Sequence, residues 1–396
     1  NYMKKTNLHC ALSHMNMAIQ NETDYCSCNV NTESWKDNQH DVMRVPTSPP
    51  KTAWNSYTRK MIKIALDKGV KHPGCSPCWQ AEDAGRVSVR QQFNLALDGI
   101  QPLENQPRSI ILKPGNVCNM ACRMCNPATS TRWYQDAYKL EEPDVDYNEY
   151  TKKFEIIRNS FGKQNTEFWD TLKEWIPELR VIYIYGGEPF MNPQTWDWLE
   201  HGIKVGAAKD IYIGLTTNLM IWNEKYLDIL KQYKAVDLNV SLDSSDATEM
   251  EYVRHLADAD TLFRNGKKVN DYFASYDNVS PCITYTLTSL NMHNIDYHAQ
   301  RLKELTGIDK LIFNNVYTPE IYDFRHLPNP IKEELKSEIK DPEVNSIINQ
   351  IIPGCDKLWP EFCAHTDKLD AIRGQSFREA FPEWWAKLEP YWYNYE

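Results

Sequence analysis

From about residue 109 to 317, six short runs of alternating residues recur between helical segments, and this rhythm leaves few folds open. The runs are SIILK (109–113), VIYIYGG (181–187), DIYIGLTTN (210–218), VDLNVSLD (236–243), CITYTLTS (282–289) and KLIFNNVY (310–317). FWDTLKEWIPEL (168–179) and TWDWLEHGIKVG (195–206) between them carry helical spacing. Strand alternating with helix predicts a parallel α/β sheet. A parallel strand buried on both faces reads as a continuous apolar run. Here one face is polar: Val236, Leu238, Val240 and Leu242 oppose Asp237, Asn239, Ser241 and Asp243, and Thr284, Thr286 and Thr288 share a face. A closed eight-stranded barrel fills its lumen with branched apolar side chains. Six strands with a polar inner face therefore predict an α/β fold of the partial (β/α)6 TIM type around a cavity, in preference to a sheet with one exposed face.

A chain of 396 residues suggests two or three structural units. The expected division is an N-terminal domain at 1–100, the partial barrel at 101–320 and a helical segment at 321–396. The formal net charge of −10 argues against nucleic-acid binding, which runs on Lys and Arg contacts to phosphate. No stretch nears the 18 or so apolar residues of a membrane span. Eleven cysteines without an export-signal pattern at the start point to reduced thiols in a cytoplasm, hence to metal or catalysis.

CNMACRMC places Cys118, Cys122 and Cys125 on the loop after the first barrel strand. Four thiolates would close a tetrahedral zinc site or fill an iron–sulfur cube. Three leave one iron of a cube open for a substrate or cofactor. Zinc with a distant fourth ligand, or a structural site, is the competing reading. A second group lies upstream in HC (9–10), CSC (26–28) and GCSPC (74–78). Cys10, Cys75, Cys78 and one of Cys26 or Cys28 make a four-thiolate site, and the donor set alone does not choose zinc over iron–sulfur.

CNMACRMC fits the CxxxCxxC motif of radical S-adenosylmethionine enzymes, and YGGEP (185–189) resembles the GGEP motif of that family. The resemblance covers roughly residues 108 to 320. It implies that Cys118, Cys122 and Cys125 hold a [4Fe–4S] cluster whose open iron chelates S-adenosylmethionine. Reductive cleavage then yields a 5′-deoxyadenosyl radical that takes hydrogen from a C–H bond. It also implies cofactor contacts for Gly186, Gly187, Glu188, Asn218, Ser241, Asp243 and Arg254, with weaker parts for Thr217, Asn291, Val316 and Met124. For Arg254 the competing reading is a surface ion pair.

CSPCWQAEDAGRVSVR (75–90) resembles the C-x-x-C…E…G…S-x-R pattern of twitch members of the family, some of them phage-encoded, near the SPASM group. This implies an auxiliary [4Fe–4S] cluster at Cys10, Cys28, Cys75 and Cys78, with Cys26 as the alternative to Cys28. Two clusters and S-adenosylmethionine are thus the expected cofactors, and structural zinc is the alternative at the N-terminal site. Glu82, Ser88 and Arg90 are expected to brace the loop. In better-known members the auxiliary domain follows the barrel; here it precedes it.

The expected function is an oxidoreductase or modifying enzyme acting on a peptide or protein side chain, the auxiliary cluster assisting electron transfer. It would be fed by a one-electron donor such as flavodoxin or ferredoxin. A dehydrogenase or epimerase of a small molecule, and a metal-stabilised protein without catalysis, are the alternatives. No catalytic acid or hydrogen donor is named beyond the candidates Tyr183, Tyr185 and Tyr285. The polar, Pro-rich stretch from about 29 to 60 reads as a surface loop. KTAWNSYTRKMIKIALDKG (51–69) reads as one helix with Trp54, Met61, Ile64 and Ala65 on its apolar stripe. Near the C-terminus, Asp370 and Arg373 are expected to cap the barrel rather than touch substrate. Cys355, Cys363 and His365 are too few for a confident site.

Overall fold

A computed structural model of the chain describes residues 8–20, 23–83, 85, 87–141, 143–316, 318–349 and 356–393. All six expected strands are present: β3 (Ser109–Leu112), β4 (Val181–Ile184), β5 (Tyr212–Thr217), β6 (Ala235–Ser241), β7 (Val279–Leu287) and β8 (Leu311–Asn315). Two more come from the N-terminal region, β1 (Asn16–Gln20) and β2 (Asp24–Cys26). The strand order is β2-β1-β3-β4-β5-β6-β7-β8, an open sheet. β1 pairs parallel to β3, so the N-terminal region adds to the barrel sheet, and β2 returns antiparallel beside β1. β3 with β4, β4 with β5, and β7 with β8 are parallel.

The alternation read from the sequence is the burial pattern of β6. Val236, Leu238 and Val240 are buried, while Asp237 and Asn239 are partly exposed. The chain divides into two compact units. One comprises Asn1–Asn116, Lys153–Leu215 and Glu224–Val236; the other comprises Val117–Lys152, Thr216–Asn223 and Asp237–Glu396.

In the first unit, helices Thr166–Trp175 and Pro193–Lys204 follow the predicted spacing. The stretch at 51–69 is two helices, Pro50–Trp54 and Tyr57–Asp67. Ser56 starts the second by accepting from the Arg59 N–H, as an N-cap does. The break resets the helical phase. Trp54, Ile62 and Leu66 are therefore buried, whereas Met61 and Ile64, assigned to the apolar stripe, are exposed. The polar stretch before it is also more than a surface loop. Trp35, Met43 and Val45 are buried, and the Trp35 ring stacks on Tyr25 and meets Trp54 edge-on.

Across β4 and β5, Tyr183 is the register partner of Gly214. A Cβ at Gly214 would lie 2.4 Å from the Tyr183 ring. Gly214→Ala is expected to cost about 1–3 kcal/mol through overpacking, read as a lower denaturation midpoint at unchanged slope. An unshifted midpoint would mean that the ring moves aside freely.

In the second unit, helices Ala247–Val253, Ala259–Phe273 and Ile295–Thr306 accompany β7 and β8. The C-terminal segment is helical, at Asn329–Glu338, Pro342–Asn349, Trp359–Arg373, Phe377–Ala380 and Pro382–Trp392. Its aromatic residues form their own core, with Trp359, Phe362 and Trp392 in mutual ring contact and Phe377 stacked on Trp392.

Candidate active site

Residues 118–125 adopt no helix or strand, and their shape comes from hydrogen bonds to two other segments. Ala121 N–H donates to His255 O at 2.9 Å and Arg123 N–H to Val253 O at 2.8 Å, so the loop lies along the chain just after helix Ala247–Val253. The Trp133 indole donates to Cys122 O at 2.8 Å, and Ser130 Oγ to Met120 O at 2.5 Å. Arg123 is wholly buried. Its guanidinium pairs with Asp370, reaches Gln375 Oε1 at 3.1 Å and lies 3.6 Å over the Tyr252 ring. Cys118 and Cys122 are buried and Cys125 is half-buried.

Two of the residues named from the sequence, Asn218 and Arg254, stand against these sulfurs, and a third, Asp243, pairs with Arg254. Asn218 Nδ2 lies 2.8 Å from Asn119 Oδ1 and 3.8 Å from Cys118 Sγ. Arg254 Nη1 lies 3.8 Å from Cys122 Sγ and Nη2 2.7 Å from Asp243 Oδ2, while Asp243 Oδ1 accepts from Thr286 N–H at 2.8 Å. Arg254 is 7 % exposed, which rules out a surface ion pair. Its Nε is buried without a hydrogen-bond partner. Burial alone would lower its pKa, but Asp243 and the thiols raise it. Ser241 is buried at the end of β6. The Cys122 thiol is held down to about 7, first by a hydrogen bond with Cys125 and then, against burial, by Arg254. Cys125 goes up, as the donor of that bond and by burial.

Asn291 is a turn brace. Its Oδ1 accepts from Thr288 N–H and Oγ1, and its Nδ2 donates to Asp243 O and Thr286 O, filling the amide's capacity. Tyr285 is fully buried and donates to Asn291 O. Beside Cys125 opens a cavity of about 430 Å³, walled by Asn126, Trp133, Tyr322, His365 and Lys368. That is the volume of a small-molecule site. Burial, with Arg123 and Arg373 nearby, brings the His365 pKa down to about 4. Cys363 is buried, and Cys355 lies outside the described residues.

The glycine pair belongs to the first unit. Gly186 and Gly187 both have left-handed backbones, φ 91° and 59°, which glycine adopts without a Cβ penalty. Glu188 is buried, and its Oε1 accepts from Phe190 N–H at 3.1 Å. One carboxylate oxygen thus shapes the turn that Pro189 opens.

The upstream cysteines also converge in this unit. Cys10, Cys28, Cys75 and Cys78 line one pocket with Leu12, Trp79 and Arg90. Cys26 turns away, towards Ala18 and Ile111, and its thiol donates to Ala18 O and Cys28 O. Burial pushes Cys10 up to about 11 and Cys75 up to about 12, and raises Cys28 and Cys78 as well. Such thiols stay protonated unless a metal displaces the protons. Glu82 accepts from Ser88 Oγ at 2.5 Å and pairs with Arg90 at 2.7 Å, and Arg90 Nη1 donates to His9 O at 2.7 Å. The E…S-x-R residues therefore tie the Cys75–Cys78 segment to the residue before Cys10.

Among the described residues, the only trio of His, Cys, Asp or Glu with all ligand atoms within 4.8 Å is Glu249, His293 and His298. Among the described residues, no three cysteine sulfurs approach that closely.

Residues 112–279 match the model of the Radical SAM superfamily. The chain carries a radical SAM domain. The matched segment holds all three loop cysteines, the glycine pair and Arg254. Among curated proteins, GTP 3′,8-cyclase of Synechocystis sp. (strain ATCC 27184 / PCC 6803 / Kazusa) is 29 % identical over 149 residues, 37 % of this chain and 37 % of that protein. The chain thus matches little more than a third of that relative's length. Among solved structures, native anSMEcpe with bound AdoMet is similar at 16 % identity and TM-score 0.38, over 68 % of this chain and 62 % of that one. Streptococcus suis SuiB bound to precursor peptide SuiA is similar at 14 % identity and TM-score 0.37, over 78 % and 66 %. Among the described residues, no helix carrying this domain or its flanks is long and apolar enough to cross a membrane.

Proposed function

We propose that the chain is a radical SAM enzyme that takes hydrogen from a peptide or protein side chain, with an auxiliary [4Fe–4S] cluster at Cys10, Cys28, Cys75 and Cys78. The observation that carries it is the loop of Cys118, Cys122 and Cys125, with a buried arginine and asparagine against its sulfurs. A [4Fe–4S] cluster with S-adenosylmethionine on its open iron supplies a 5′-deoxyadenosyl radical. The donor set fits that group: three thiols, a left-over buried N–H on Arg254, and Asp243 positioning the guanidinium. Arg254 offers the charge and planar donors that a carboxylate needs. Asn218 holds Asn119 and the loop in place. Gly186 and Gly187 keep their turn free of side chains, which suits close backbone approach to an amine. The peptide substrate rests on the resemblance to auxiliary-cluster members; a sugar- or antibiotic-type small molecule is the second reading, in keeping with the cavity beside Cys125. A flavodoxin- or ferredoxin-type donor completes the scheme.

Anaerobic incubation of the iron-loaded chain with S-adenosylmethionine and a one-electron reductant tests the reading. Methionine and 5′-deoxyadenosine are the expected products. An iron-loaded chain that leaves S-adenosylmethionine intact overturns it.

Iron counting tests the N-terminal assignment. The wild type should bind about eight irons per chain, two cubes' worth. Cys28→Ser should lose about half of them, and Cys26→Ser should keep them all. Equal iron in the two variants would remove Cys28 from the site.

A further inference from the structure

Glu249, His293 and His298 meet with no cysteine among them, on three separate segments of the second unit. Glu249 lies on helix Ala247–Val253, His293 on the turn after β7, and His298 on helix Ile295–Thr306. Their side chains are 11 %, 6 % and 4 % exposed. His293 Nε2 stands 2.9 Å from Glu249 Oε1, and His298 Nε2 stands 3.4 Å from Oε2.

The second of these contacts is not a hydrogen bond, and His298 Nε2 is buried without a partner. On the far side of the ring, Nδ1 is 2.9 Å from Ser245 Oγ, 3.3 Å from Ser244 Oγ and 3.3 Å from the Ser245 N–H. If Nδ1 carries the proton, it donates to Ser245 Oγ over the shortest of the three contacts. The Nε2 lone pair then faces a carboxylate oxygen, acceptor against acceptor. If Nε2 carries the proton, the N–H still lacks a satisfactory acceptor. Either tautomer leaves the buried edge between ring and carboxylate unsatisfied, a situation that costs free energy.

A cation removes the conflict. Two ligands about 2.1 Å from one ion lie about 3.0 Å apart at a right angle and about 3.4 Å apart at the tetrahedral angle. The two nitrogen–oxygen separations match these spacings. Two imidazoles and one carboxylate are a donor set that first-row divalent ions favour. Ser245 Oγ on Nδ1, and Ser244 Oγ donating to Glu249 Oε2 at 2.6 Å, stand where outer-shell partners orient metal ligands.

We propose that Glu249, His293 and His298 bind one divalent transition-metal ion of the Zn(II) type, at a site with no cysteine among its ligands. The ion ties helix Ala247–Val253, which runs directly into Arg254, to the turn bearing His293. That ring in turn stacks on Trp384 and meets Phe381 edge-on. The site is independent of the radical reading, because its ligands are not cysteines.

The test uses the full iron-loaded chain, so that the thiols are occupied. It is exposed to zinc chloride, desalted, and its zinc and iron are counted by mass spectrometry. One zinc per chain is expected for the wild type. At least tenfold less is expected for Glu249→Gln and His298→Asn, with iron unchanged. A zinc-edge X-ray absorption spectrum of the wild type should show nitrogen and oxygen neighbours without sulfur, and this readout survives if a variant fails to fold. No retained zinc in the wild type, equal zinc in wild type and folded variants, or sulfur in the zinc shell each overturns the proposal.

Discussion

Cys118→Ala should reduce 5′-deoxyadenosine formation to the level of the enzyme-free control while the rest of the fold persists. The loop around Cys118 is held by bonds that do not involve its sulfur: Ala121 and Arg123 to the backbone at 253–255, and Trp133 to Cys122 O. The substitution therefore removes a ligand and leaves the scaffold. Iron should fall by about four per chain, the content of one cube, with the N-terminal site untouched. Arg254→Gln, which keeps all three thiols, should lose about 10–100-fold, as loss of a supporting contact does. Substantial 5′-deoxyadenosine from iron-depleted Cys118→Ala protein would separate the thiol loop from the chemistry altogether.

Asp370→Ala is expected to destabilise the protein by about 3–5 kcal/mol, the cost of leaving a buried guanidinium unpaired. Arg123 is fully buried, and Asp370 is its ion-pair partner. Asp370 also accepts from Tyr252 Oη and from Phe377 N–H, each at 2.7 Å. One carboxylate thus joins the cysteine loop, the segment before Arg254 and the helix start at Phe377. Urea denaturation of Asp370→Ala should show a much lower midpoint. Arg123→Met/Asp370→Leu should recover part of it, because an apolar pair leaves no charge stranded. A loss under about 1 kcal/mol, the range of an exposed pair, would mean that water reaches Arg123.

The parts legible in the sequence were those with a short-range period or spacing. The six strands showed as short apolar runs between helical segments, with clean alternation in β6 and none in the fully buried β3. The loop cysteines showed because their ligands lie within eight residues. β1 and β2 were missed: NMAIQ directly follows the helix ALSHM without a turn signal, and DYC is too short for a period. Trp35 sits in a polar stretch, and nothing local says that it fills a core. The break at Asn55–Ser56 was written as a capping serine inside an otherwise continuous helical pattern. Partners far apart in sequence were out of reach. Asp370 is 247 residues from Arg123, so that the terminal motif suggested a cap without revealing what it holds. His293 and His298 stand in an H-x4-H spacing in the sequence, but Glu249 lies 44 residues before His293 and only the folded chain brings it to them.

The cysteine loop has an additional property that follows from how it is fastened. Its backbone is laid along 253–255 and its one arginine is anchored in the interior, so the path of the loop is set by contacts that do not involve its sulfurs. Small domains that fold only around their metal lose their shape when it leaves. A loop fastened in this way should keep its path with or without iron. Oxygen damage that strips the iron should accordingly leave an intact receptacle, ready for refilling without a refolding step.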